Sequence, residues 1–198
     1  GVDEQLRDVA DGEPRPVGTD DLGDIGRLTF DRDLAESLLP QFRDAVASEN
    51  SEQAGLEFAS AALLVAELQR ADYEHLELDK KARRELGKEI DATAQEALNV
   101  LATLPESSER YRLEADLYGP MIRSKFKGMK YQPRLENAIT TALELDEANA
   151  NAWVSNARRP LFAPPKHGGD AAIALLYLNR ALEIDPDHVQ GLSGSETR

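Results

Sequence analysis

Histidine is the side chain most easily turned to acid–base work or metal ligation near neutral pH, and this chain has three: His75, His167 and His188. They fall in separate segments, no two at the spacing that sets a pair of ligands on one helix face, and no H-E-x-x-H occurs. Cysteine is absent, which excludes thiolate nucleophiles, disulfides and zinc sites built on sulfur. The stretch GLSGS, residues 191–195, has the outline of a nucleophile elbow. Ser195 stands where the second glycine belongs, however, and no strand precedes Ser193. Residues 167–170, His-Gly-Gly-Asp, open a helix, where a glycine-rich turn can offer backbone N–H groups to an anion. Asp170 instead places its own carboxylate there as an N-cap. Carboxylate catalysis needs two acids in one cleft, and no spacing here points to such a pair. No catalytic residue, metal ligand or cofactor is assigned, and the chain is read as non-enzymatic.

Charge is the remaining chemical feature. The chain carries a formal net charge of −14, and residues 1–60 hold 15 acids against 5 arginines. Such a field repels nucleic acid and anionic lipid headgroups. Against that background, residues 109–134 reverse the sign, with seven cations (Arg110, Arg112, Arg123, Lys125, Lys127, Lys130, Arg134) and three acids. Arg158 and Arg159 add a second basic point further along.

The elements that must position these side chains are helices. Residues 11–29 are rich in Gly, Pro and Asp and have little to bury, so they predict an extended arm. From Asp31 the apolar residues return at helical spacing: Leu34, Leu38, Leu39, Phe42 and Val46, with Pro40 expected to bend or interrupt the run. Ser51 is the expected cap of an Ala-rich helix whose Leu56, Phe58, Leu63, Leu64 and Leu68 supply apolar faces. Asp79 opens the next, with a cationic first turn, and Ser107 or Ser108 caps another through Tyr111, Leu113 and Leu117. Residues 123–132 predict a basic loop, and Pro133 the first turn of a helix carrying Leu135, Ile139, Ala142 and Leu145. Two further helices follow, over 150–162 and 170–184. No stretch alternates apolar and polar residues over a useful length, so no strand is predicted. No apolar run reaches the roughly 18 residues that span a bilayer.

One phrase occurs twice. ALELDEANA at 142–150 and ALEIDPDHV at 181–189 are 39 residues apart, and Pro120 and Pro160, each followed by two large apolar residues, are 40 apart. Two landmarks keep nearly one period. The last unit resembles the tetratricopeptide repeat, a helical hairpin of about 34 residues. Trp153 takes the early aromatic position and Ala157 the small-residue position. Ala174, Leu178 and Ala181 run along the second helix, and Pro186 follows it. Pro160 departs from the pattern, as does a longer hairpin loop near 163–169. The resemblance covers residues 107–189 well, 51–105 loosely and the first fifty not at all.

That resemblance implies an all-α fold: a right-handed α-α superhelix of stacked antiparallel hairpins over 31–189, between an acidic arm (1–30) and a tail (190–198). It also implies that the first helix of each hairpin lines a concave face. Tyr118, Arg123, Arg158, Arg159 and Phe162 then form an electropositive patch with aromatic edges. The patch suits an acidic peptide, a C-terminal carboxylate or an anionic small molecule. Trp153 and Tyr111 are expected to pack between helices. The function implied is a non-catalytic scaffold that holds a protein or peptide partner, with self-association through the acidic arm a further expectation. The alternative is the small-ligand-binding component of an exported system. Gly1 in place of Met fits a removed leader, which favours export over the cytoplasm as the expected compartment.

Overall fold

The computed structural model describes residues 32–163 and 165–186, apart from the side chains of Phe162 and His167. The expected arm and the tail lie outside these residues. The described residues form α-helices and one short 3₁₀ turn, with no strand among them. The helices are α1 (Arg32–Glu49), α2 (Glu52–His75), α3 (Lys80–Leu101), α4 (Ser108–Met121), α5 (Lys125–Leu145), α6 (Ala150–Phe162) and α7 (Ala171–Ile184).

Short polar residues start most of them. Ser51, Asp79, Ser107, Ser124, Asn149 and Asp170 sit in extended backbone and accept from N–H groups two or three residues on, removing orphan donors from each first turn. Short connections then fold α2 on α3, α4 on α5 and α6 on α7 as hairpins. The first helices also pack on one another, α2 against α4 and α4 against α6, while α1 covers α2.

Two cores hold the stack. Phe58, Val65, Leu101, Leu113, Leu117 and Met121 are each at most 1% exposed in the larger one, shared by α2, α3 and α4. Truncating such a side chain costs about 2–5 kcal/mol. The smaller core, between the second and third hairpins, is built on Ala115, Ala138, Ile139, Ala142 and Ala152. Small residues here permit close approach of the helices. Gly55 does the same on α2, where an added Cβ would come within 2.8 Å of the Leu104 side chain.

Three expectations on local structure change. α1 runs through Pro40 without interruption, with that proline exposed. α5 begins at Lys125 rather than at Pro133, so the expected basic loop of residues 123–132 is mostly helix. Ser124 supplies the cap, accepting from the Lys127 N–H at 3.3 Å. Pro133 lies on an exposed face inside the helix, so the Met129 carbonyl that loses its i+4 donor is exposed to water.

Candidate functional site

α1 and α2 do not close against each other along their whole length. Ala35, Leu38 and Phe42 on α1 face Leu56, Ala61 and Leu64 on α2 across a groove of about 540 Å³. Leu38 and Leu64 remain 40% and 39% exposed. Gln53, Glu57 and Ser60 of α2 and Glu109 of α4 supply its polar groups. Gln53 donates to Glu57 at 2.7 Å, and Glu109 is held by Arg112. Glu57 has no ion-pair partner among the described residues. The groove is therefore an apolar slot with one unneutralised carboxylate, in the size range of small-molecule sites. Its residues were legible only as helix faces. The available signal was that α2 carries large apolar residues on more than one side, more than one neighbour can cover.

The expected electropositive patch is dispersed into internal pairs. Arg158 of α6 reaches back to Glu67 of α2 and, at 3.5 Å, to Asp116 of α4. Asp116, 7% exposed, also accepts from Arg112 at 2.8 Å and from Ser155 at 2.8 Å. Burial works to lower the Arg158 and Arg112 guanidinium pKa values, but the facing carboxylates outweigh it and both are raised. This network ties the three first helices together along one line. Tyr118 is 7% exposed and stacked on Tyr131, with ring centroids 5.7 Å apart. Its hydroxyl donates to Glu114, and burial followed by that carboxylate pushes its pKa up. Arg123 is turned inward: its side chain is 5% exposed and paired with Asp91 at 2.8 Å. The Phe162 side chain lies outside the described residues.

Arg159 borders a second, smaller cavity of about 170 Å³, with Ser155, Asn156, Tyr177 and Gly168 among its walls. Its guanidinium pairs with Glu136. Gly168 has φ of +91°, a backbone conformation that favours glycine, and the flexible Arg159 guanidinium lies close by. The Asp170 N–H to Pro160 carbonyl bond, 2.8 Å, pins this loop to α6. Asp170 caps α7 through the Ala172 and Ile173 N–H groups. Its own carboxylate thus fills the place that an anion would take.

Trp153 packs on Tyr177 with centroids 5.7 Å apart and donates from Nε1 to the Glu147 carbonyl. Tyr111 packs against the smaller core and donates to Glu106 at 3.0 Å. His75 is exposed at the end of α2; the His167 side chain and His188 lie outside the described residues. Among the described residues, no group of three or more His, Cys, Asp or Glu is placed to hold a metal ion. No helix among them is long and apolar enough to cross a membrane.

No family model matches this chain, and no curated protein matches it. Its fold is similar to a solved structure, the HusA haemophore from Porphyromonas gingivalis, at TM-score 0.56 and 16% sequence identity. The match covers 87% of this chain and 78% of that one. At that identity the likeness concerns the fold alone.

Proposed function

We propose that this chain is a non-catalytic binding protein that takes an apolar small ligand in the groove between α1 and α2. The observation that carries this reading is the groove itself: about 540 Å³ between two helices, with Leu38 and Leu64 left part-exposed at its walls. Covering the exposed part of each leucine contributes about 1 kcal/mol, and the half-buried Phe42, Leu56 and Ala61 shape the floor. Glu57 offers an anchor for a cationic or hydrogen-bonding group on the ligand.

The likeness in fold to a haemophore supports a small ligand over a protein partner. The lining contains no His, Met, Cys or Tyr to reach an iron atom. A porphyrin would be held here by its apolar faces rather than through the metal, and the groove suits other flat or elongated apolar molecules equally.

A second reading, a scaffold holding a protein or peptide, rests on the tetratricopeptide resemblance of the last hairpin and on the row of first helices α2, α4 and α6. Arg123 is turned inward onto Asp91, and an acidic partner would have to compete with Glu67 and Glu136 for the part-exposed Arg158 and Arg159.

The test is a fluorescence titration with the uncharged dye Nile red, comparing the wild type with Leu38→Glu/Leu64→Glu. Saturable binding by the wild type, weakened roughly tenfold or more in the variant, is expected. Absent saturation, or equal affinity in the two proteins, overturns the reading.

A further inference from the structure

Beside the turn that joins α4 to α5, two large apolar side chains stand almost clear of the protein. Phe126 is 85% exposed and Met129 70%. Three residues apart in the first turns of α5, they share one side of the helix. They line neither of the two cavities described above. Apolar surface held in water in this way is unfavourable unless something covers it.

The charge around them runs opposite to that of the whole chain. Residues 122–134 hold five cations and no acid, and residues 80–91 hold five cations against three acids. The two segments meet at Tyr73, whose ring centroid lies 5.2 Å from the Arg83 guanidinium and 5.6 Å from that of Arg123. Lys127 of α5 also reaches Asp91 of α3. Of the three acids, Asp91 is neutralised by Arg123 and Lys127, and Glu85 by Lys88. Lys80, Lys81, Lys125 and Lys130 are exposed and have no ion-pair partner among the described residues. Both α3 and α5 begin here, so their N-terminal dipoles add to the positive potential.

We propose that this face docks on a bilayer surface containing anionic lipid, with Phe126 and Met129 entering the interfacial zone and the lysines meeting the headgroups. A polyanion such as nucleic acid would neutralise the lysines but offers no apolar medium for two protruding side chains. The bilayer interface supplies both. The repulsion expected from a net charge of −14 is screened beyond about 8 Å at physiological salt. The local excess of cations therefore governs contact.

Co-sedimentation of the full chain with vesicles tests this. Vesicles of phosphatidylcholine alone should retain little protein, and vesicles with phosphatidylglycerol mixed in should retain it in a salt-sensitive way. Phe126→Ser/Met129→Ser and Lys125→Gln/Lys130→Gln should each weaken that binding roughly tenfold or more, while thermal melts match the wild type because all four side chains are exposed. Leu38→Glu/Leu64→Glu should leave vesicle binding unchanged, which separates this surface from the α1–α2 groove. The proposal is overturned if the wild type binds neither kind of vesicle, or if the Phe126/Met129 variant binds as the wild type does. Retention on heparin without vesicle binding overturns it as well, in favour of a polyanion.

Discussion

The guanidinium of Arg123 donates to the main-chain carbonyl of Gly87, 36 residues earlier, at 2.5 Å. The same nitrogen meets Asp91 at 2.8 Å, and the other terminal nitrogen holds the Pro120 carbonyl at 3.1 Å. A side chain 5% exposed thus joins the end of α4 to the middle of α3. Arg123→Ala should lower stability by about 1–3 kcal/mol, because it removes the buried cation that holds Gly87, Asp91 and Pro120 together while Lys127 still reaches Asp91. Urea denaturation measures this. Arg123→Lys should restore only part of the loss, since a single ammonium cannot reach all three acceptors at once.

Asp116 plays the corresponding part between the second and third hairpins. Removing its carboxylate in Asp116→Ala leaves the buried Arg112 short of a partner and takes an acceptor from Ser155 and Arg158. A loss of about 3 kcal/mol is expected, with faster amide exchange in α6 as its local sign. Asp116→Asn, which keeps an acceptor for Ser155, should lose less.

Two glycines should respond in opposite directions. At Gly168 the positive φ opposes a side chain, so Gly168→Ala should destabilise by about 1–2 kcal/mol even after the flexible Arg159 side chain moves aside. At Gly128, inside α5, an added Cβ would meet only the Ile122 side chain at 3.8 Å, an ordinary contact. Gly128→Ala should therefore stabilise by about 0.5–1 kcal/mol through helix propensity. Paired thermal melts give both signs.

Arg43 of α1 grips Glu96 of α3 with two bonds, at 2.6 and 2.9 Å. The hydrogen bond from Arg43 holds the Glu96 carboxyl below its ordinary value of 4.5. A carboxyl depressed in the folded state adds stability that is complete above the unfolded value and is lost as pH falls through the lower folded one. Both side chains are 40% or more exposed, so the contribution is below about 1 kcal/mol. Wild type and Glu96→Gln should therefore differ slightly in melting temperature at neutral pH, and the difference should shrink as pH falls below the ordinary carboxyl value of 4.5. A difference that persists in acid would argue against this origin.

Much of the architecture was local and hence legible. Ser51, Asp79, Ser107 and Asp170 mark helix starts because a short polar side chain satisfies an N–H two or three residues ahead, a contact that needs no distant partner. Leu86, Ile90, Ala94, Leu98 and Leu101 recur at helical spacing and belong to the buried face of α3, and the absence of alternating patterns agrees with the helices seen among the described residues. Pro133 misled because a proline suits a first turn, while the true start lay at Ser124, whose cap is followed by Gly128 and by cations that oppose the dipole of a helix N-terminus.

The destination of each charge was not local. Arg123, Arg158 and Arg159 find Asp91, Glu67 and Glu136 at separations of 32, 91 and 23 residues. No linear reading of an acidic chain selects those partners among so many carboxylates. The groove has the same origin, since Leu38 and Leu64 are ordinary helix-face residues until α1 and α2 pack with space between them. Sequence by itself determined where most of the helices begin and which faces are apolar, because capping and periodicity act within a few residues. Tertiary structure alone decided which cations are spent inside the fold and which apolar side chains, Phe126 and Met129 among them, are left facing outward. Those outcomes depend on distances between helices that only packing sets.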